Sequence, residues 1–163
     1  MLRISATIAL LLVATAATAE EWRYEGGAVP IAYVDNGAAQ FQFACRGGDL
    51  AMGFWVRSPS KAVAAAAAMN MAITPDPGKG AGDPAANTSY AQDMPLIHSD
   101  GSSMIVRGPV ARQWARIAQQ AKAAIRVAYV HKDAAGKLHV FDGNEFGAKG
   151  SSGAIRQVLD RCG

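Results

Sequence analysis

The chain has 163 residues, half of them hydrophobic, and a net charge of only +3 at pH 7. So small an excess of basic residues does not favour nucleic acid or an anionic membrane surface as a partner. After Glu20 no stretch is long and apolar enough to cross a bilayer. The length from Glu20 to Gly163 suits a single domain that can bury a sizeable core.

Residues 1–19 have the pattern of a secretory signal peptide. Arg3 is their only charge, residues 4–16 are apolar or small, and residues 17–19 form an A-x-A cleavage site. The apolar run is too short for a stable membrane span, and it contains no cysteine that could take a lipid anchor. We therefore expect an exported domain, residues 20–163, that is periplasmic or secreted.

The exported domain is predicted to begin with three antiparallel strands in a meander, after a short strand at Trp22 and Tyr24. Asn36-Gly37 predicts a type I′ hairpin turn, in which both central residues have positive φ. Trp55 alternates with the apolar residues of its strand, which indicates that the opposite face is also partly covered. The predicted meander comprises a strand at 31–33, a strand at 40–45, a tight turn at 46–49 and a strand at 50–56.

The middle of the chain is predicted to contain a short helix, a strand and a long break. Ser60 is a candidate N-cap for a helix through the alanines that follow, and residues 69–73 alternate like a strand. Glycine and proline then interrupt residues 74–102 throughout. We expect a flexible loop there that is either functional or disordered, with its second half packing back as an edge strand.

The last third is predicted to form a strand at 104–106, a long helix, a hairpin and a terminal helix. The long helix begins at Gly108-Pro109, with proline in its first turn. The hairpin joins alternating runs at 125–129 and 138–141. Apolar residues at helical spacing line one face of the long helix: Val110, Trp114, Ile117, Ala118 and Ala121.

The two cysteines both lie on predicted apolar faces. Cys45 follows Phe41 and Phe43 on one face of a strand, and Cys162 lies on the apolar face of the terminal helix, 150–162. In an oxidising compartment two such cysteines normally pair, the alternative being two buried free thiols. We predict a Cys45–Cys162 disulfide that ties the terminal helix to the sheet. The predicted class is thus α+β, a curved antiparallel sheet or small β-sandwich with two packed helices.

No motif in the sequence indicates a reaction. His98, Asp100 and Ser102 have the residue types of a hydrolytic triad, but residues two apart on a strand are separated by about 6.6 Å. A triad needs side chains in hydrogen-bond contact and a nucleophile on a shaped turn, and no G-x-S-x-G motif is present. We predict no catalytic residue and therefore a protein that is not an enzyme.

Three further clusters are interpreted as ordinary structural residues. The four aspartates between Asp76 and Asp100 lack the alternating spacing of a calcium loop. His131 and His139 could face each other across the hairpin, but no third or fourth zinc ligand can be named. Residues 150–153 could hold an anion at a helix start, although a serine N-cap explains them without a ligand. We predict no metal and no cofactor.

Arg112 and Arg116 lie one turn apart on the long helix and are the best candidates for a partner-binding site. Together they could form a basic stripe that binds an acidic protein. The alternative is the solvated face of an amphipathic helix.

Segments 41–56, 124–141 and 150–162 together resemble a known group of proteins. They combine a strand that ends in a single cysteine, a later hairpin, and a terminal G-x₃-A-I-x-x-V-L-x-x-C helix. This pattern resembles the small periplasmic proteins of the type VI secretion-associated and invasion-associated locus B families. The resemblance implies an exported, non-enzymatic protein, and it supplies no catalytic residue.

The sequence therefore favours a non-enzymatic periplasmic or secreted interaction protein with an unknown protein partner in the cell envelope. Its role would be accessory to an envelope or secretion machine. The alternative is a small inhibitor or binder of a cell-wall enzyme that acts through residues 74–102. An enzyme is the third hypothesis.

Overall fold

The structure, a computed structural model, describes residues 20–78 and 87–162. The predicted signal peptide at 1–19 lies outside the described residues. So do residues 79–86 of the predicted loop.

In the described residues, nine antiparallel strands form a curled sheet, and three helices accompany it. This confirms the predicted α+β class. The strands run along the sheet in the order β1-β2-β3-β4-β7-β6-β5-β8-β9. They are β1 (Arg23–Glu25), β2 (Ile31–Asp35), β3 (Ala39–Arg46), β4 (Asp49–Val56), β5 (Ala68–Pro75), β6 (Ser89–His98), β7 (Ser102–Arg107), β8 (Ala124–Lys132) and β9 (Leu138–Gly147). The helices are α1 (Lys61–Ala65), α2 (Gly108–Gln120) and α3 (Ser151–Leu159).

Strict alternation in β3 and β4 gives the sheet two different faces. Phe41, Phe43 and Cys45 point to an inner face that is buried under α2 and α3, as the sequence predicted. Gln40, Gln42 and the corresponding residues of β4 point to the opposite, outer face. Because the period of a strand is two, each apolar residue that is buried inside leaves its neighbour outside.

The hairpin between β2 and β3 is confirmed, but the predicted type I′ turn is wrong. Of its central residues only Gly37 has positive φ, at 85°, which is the pattern of a type II′ turn. Asn36 instead uses its side-chain oxygen to accept the N–H groups of Ala38 and Ala39, at 3.0 and 2.8 Å. The type I′ pattern occurs at the next turn, where Gly47 and Gly48 both have positive φ.

Replacing Gly37 by valine should lower the free energy of unfolding by about 1–3 kcal/mol, because a β-branched residue resists positive φ. An added Cβ at this position meets nothing within 4 Å, so backbone strain would be the whole effect. Urea denaturation measures the loss. Gly37→Asn is the control and should cost less, because asparagine accepts the positive φ of primed turns more readily than a β-branched residue does. An unchanged midpoint for Gly37→Val would contradict this account of the turn.

The predicted break at 74–102 is shorter than expected, and its second half is not an edge strand. β5 continues to Pro75, and β6 is a ten-residue strand between β5 and β7. Its first part pairs with β5, and its last three residues pair with β7. Pro95 lies where β6 changes its pairing partner from β5 to β7. Because the hydrogen-bond ladder is already interrupted there, the missing N–H of proline costs no further hydrogen bond.

The two ends of the sheet meet through Trp22, just before β1. Its backbone N–H donates to the carbonyl of Lys149 and its indole Nε1 to that of Gly147, both at 3.0 Å. The Trp22 ring also contacts Phe41 edge-on, with centroids 5.5 Å apart. Phe41 in turn lies 5.8 Å from Phe146 of β9. These contacts hold the end of β9 against the first strands and thereby maintain the curl.

Helix α3 is tied to the sheet by the predicted Cys45–Cys162 disulfide, which the structure contains. The predicted serine N-cap of this helix is wrong. Gly150 is the N-cap, with a φ of 82°, and Ser151 is buried in the first turn. The short helix α1 does have the predicted cap, because Ser60 Oγ accepts the N–H of Val63 at 3.5 Å. No helix in residues 20–78 or 87–162 combines the length and apolarity needed to span a membrane.

Candidate functional site

A depression of about 340 Å³ lies on the outer face of the sheet, across β3, β4 and β7, and is called here the outer groove. The turn between β6 and β7 forms one end of it. Its surface includes glycine, glutamine and serine residues and the large apolar side chains of Trp55 and Ile105. The lining residues are Gln40, Gln42, Gly53, Phe54, Trp55, Ser99, Asp100, Ser103, Met104 and Ile105.

Gly53 creates space in the floor of the outer groove. It lies in the middle of β4, with Gln42 of β3 and Ile105 of β7 as its register partners. A Cβ at Gly53 would lie 3.2 Å from Cγ and Nε2 of Gln42, which is a tight approach. A glycine inside a strand commonly marks a place where another group comes close to the backbone. Here the glutamine side chain is that group.

Trp55 forms a wall of the groove and is held in place on two sides. Its indole Nε1 donates to the carbonyl of Asp100 at 2.9 Å. The guanidinium of Arg57 lies 4.6 Å from the ring centroid, a cation–π distance. Gly101 packs so closely that a Cβ there would lie 2.2 Å from the carbonyl oxygen of Val56. The ring is thus positioned before any ligand arrives.

Arg57 is itself fixed by Asp35 at the end of β2. Its two guanidinium nitrogens donate to the two carboxylate oxygens, with Nη1 to Oδ1 at 3.0 Å. Nη1 also donates to the carbonyl of Gly37. The hydrogen bonds from Arg57 lower the pKa of Asp35, and those same bonds raise the pKa of Arg57.

Acid should break the ion pair between Asp35 and Arg57, which holds the guanidinium of Arg57 beside the Trp55 ring. Because the folded-state pKa of Asp35 lies below its ordinary value of 3.8, the interaction is complete above that pH. It is lost as the pH falls through the folded-state pKa. We expect the Nε1–H signal of Trp55 in the NMR spectrum to shift with a midpoint below pH 3.8. Asp35→Asn is the control and should show no such transition, whereas a midpoint above 3.8 would contradict the assignment.

The amides of Gln40 and Gln42 form a pair at the groove, with Gln40 Nε2 donating to Gln42 Oε1 at 2.9 Å. Both residues point outward on β3, two positions apart. An amide that donates keeps a free carbonyl, and one that accepts keeps a free N–H₂. The pair therefore presents both an acceptor and a donor at the groove.

The structure brings two residues of the rejected triad together. His98 and Ser102 are register partners in β6 and β7, and Nδ1 of His98 lies 2.8 Å from Ser102 Oγ. Nε2 lies 2.8 Å from the carbonyl of Ala66, which can only accept, so Nε2 is the donor. In the neutral ring, Nδ1 then accepts from the serine hydroxyl. The spacing of residues along a single strand does not predict this contact, because it forms between the two strands of a hairpin. Ser102 is fully buried, however, so its hydroxyl is not accessible to a substrate.

Arg112 and Arg116, the predicted partner-binding pair, have different environments. Arg112 is half-buried, and its Nη2 donates to the carbonyl of Cys162 at 3.1 Å. Arg116 is exposed. Arg112 therefore helps to hold the segment after α3, and a charge reversal there would disturb the fold as well as any interface. Binding by Arg116 stays a prediction.

The other candidate clusters have structural contacts. Asp76 Oδ1 accepts the backbone N–H groups of residues 122–124, beyond the end of α2. His131 and His139 do face each other in register, and His139 contacts Asp133 at 2.9 Å, which lowers the pKa of that carboxyl. Within the described part of the chain, no three His, Cys, Asp or Glu side chains form a cluster that could hold a metal.

The outer groove was missed by sequence reasoning, apart from one signal. Trp55 was predicted to lie on the face opposite the core, and the structure has it there, half-buried. Neither Gln42 nor Ile105 can be assigned to the same site without the strand register.

Comparisons with known proteins leave the family open. No family model matches the chain, and no match was found among the curated proteins. Among solved structures, invasion associated protein B from Bartonella henselae is similar over 85% of this chain and 97% of that chain. The sequence identity is 9% and the TM-score is 0.47. A similarity this low establishes neither family nor function, so the function is argued from the residues of the chain itself.

Proposed function

We propose that the protein is an exported, non-enzymatic binding protein of the cell envelope, accessory to an envelope or secretion machine. The observation on which this rests is the outer groove, whose tryptophan wall is fixed in advance of binding. Preformed sites with an aromatic surface and a few placed polar groups are typical of ligand recognition.

Export is supported by the disulfide between Cys45 and Cys162. Both sulfur-bearing residues are almost fully buried, at 3% and 2% exposure, and the bond joins the sheet to the segment after α3. Such structural disulfides persist in oxidising compartments. The signal-like pattern of residues 1–19 points to the same location.

The burial of Ser102, which contacts His98, supports a binding role over catalysis. A nucleophile must be able to reach its substrate, and Ser102 cannot. Its contact with His98 instead joins β7 to β6 and to the segment before β5. A hydrolase activity of the purified protein that Ser102→Ala abolishes would contradict the non-enzymatic assignment.

Affinity capture tests the binding role. The immobilised protein is incubated with an envelope extract, and captured proteins are identified by mass spectrometry. Ile105→Glu introduces a charge into the outer groove and should remove the specific partners. Val140→Glu is the matched control, since Val140 is an equally apolar, more exposed residue on another strand. Equal capture by the unmodified protein and Ile105→Glu would contradict the proposal.

A further inference from the structure

We infer that the outer groove binds an N-acetylated amino sugar of a neutral oligosaccharide. This inference rests on the proposed function and specifies what the binding surface recognises. It depends on the amide pair, on the two apolar side chains beside it, and on the charge of the surroundings.

The amide pair is complementary to an acetamido group. Gln40 Nε2 and Gln42 Oε1 bond to each other, which leaves the carbonyl of Gln40 and the N–H₂ of Gln42 for a ligand. A secondary amide offers one N–H and one C=O and can satisfy both. If the two amides were assigned the other way round, the pair would still present one carbonyl and one N–H₂. The complementarity therefore does not depend on which end of each amide is nitrogen.

The apolar part of the groove suits the rest of such a sugar. Ile105 is 37% exposed although it is a large aliphatic residue, and it lies beside Gly53 in the floor. Trp55 lines the same depression. An acetamido methyl and the C–H face of a pyranose are apolar groups that gain from covering such surfaces. The volume of about 340 Å³ is at the small end of ligand pockets, which fits one or two sugar rings.

The charges at the groove favour a neutral ligand. Arg57, the cation beside Trp55, is already paired with Asp35. Asp100 lines the groove and would repel an anion. An acidic sugar or a phosphate would thus meet an exposed carboxylate and no unpaired cation among the lining residues.

A peptide is less well matched than a saccharide. Extended peptides commonly bind by adding a strand to a free sheet edge. The floor strands β3 and β4 are paired on both sides, and β7 lacks a partner on its β6 side only at its last three residues, 105–107. The backbone therefore offers at most a three-residue edge, and recognition at the groove depends mainly on side chains.

Titration with tri-N-acetylchitotriose, followed by NMR, tests the inference. The chain has three tryptophans, and their indole Nε1–H signals are separate reporters. Trp22 and Trp114 are at most 4% exposed, so they serve as internal controls. We expect the Trp55 signal to shift while the other two stay in place. Maltotriose, which lacks acetamido groups, should bind at least tenfold more weakly.

Variants locate the site. Gln42→Leu should weaken binding about tenfold, the effect of losing one well-made hydrogen bond. Gly53→Ala should weaken it too, because the added methyl displaces Gln42. Gln92→Leu, at an exposed glutamine of β6 outside the groove, is the control and should bind normally.

Three outcomes would overturn the inference: no shift of Trp55, equal binding of maltotriose, or unchanged affinity of both groove variants. A Trp55 shift caused by a neutral tripeptide but not by the sugar would overturn it in favour of peptide binding. If the sugar fails while Ile105→Glu still removes envelope partners, the proposed function stands and only its ligand class is wrong.

Discussion

Cys162→Ser is expected to lower the free energy of unfolding by about 2–5 kcal/mol. The Cys45–Cys162 bond joins residues 117 positions apart, and closing so long a loop restricts the unfolded chain strongly. The chain-entropy account assigns about 4–5 kcal/mol to a loop of this size, and measured values are often lower. Since whole domains are stable by about 5–15 kcal/mol, this is a large share of the total.

Urea denaturation monitored by circular dichroism measures the loss, and non-reducing mass spectrometry of the native protein verifies the bond. Cys45→Ser and the double variant are the controls. Each removes the same bond, so all three should lose about the same stability. A free thiol at either position in native, exported protein would contradict both the bond and the anchoring of α3.

Trp22→Ala is expected to cost about 3–5 kcal/mol, the range for removing a buried aromatic side chain. Trp22 is only 4% exposed and contacts the rings of Phe41 and Phe43. Its indole also donates to the carbonyl of Gly147 at the end of β9. The substitution therefore removes core contacts and a hydrogen bond between the two ends of the sheet.

A graded control separates these two contributions. Trp22→Phe keeps an aromatic ring but loses the indole N–H, so it should cost clearly less than Trp22→Ala. Hydrogen exchange of amides in the last part of β9 should accelerate in both variants. Loss of stability without faster exchange there would contradict the role of Trp22 in holding β9.

The parts of the fold that were predicted correctly are those that local pattern determines. Alternation placed Phe41, Phe43 and Cys45 on one face of β3, and helical spacing placed Trp114 on the buried face of α2. Turn type was less predictable, because the side chain of Asn36 competes for N–H groups that a type I′ turn would use differently. β6 was missed as an inner strand because Pro95 and the Gly/Pro-rich residues before it conceal a strand that pairs with its two neighbours in the chain, β5 and β7.

The candidate site could not be predicted for the same physical reason. Gly53, Gln42 and Ile105 meet only because three strands pair in one particular register. The contact between His98 and Ser102 likewise requires a hairpin that the Gly/Pro-rich sequence concealed. Residue spacing describes one strand at a time, whereas both sites are formed between strands.

The shared pairing of β6 has a consequence for how the chain folds. β1 to β4 form a meander whose contacts are local, and β8 with β9 forms a local hairpin. β6 pairs with its two neighbours in the chain and makes a third group of consecutive strands, β5 to β7. β4 must pair with β7, and β5 with β8, across long intervening segments, and such pairings are slow because loop closure precedes any stabilising contact. The three groups would therefore form early and be joined late through these two pairings, with overall refolding on the order of milliseconds to seconds.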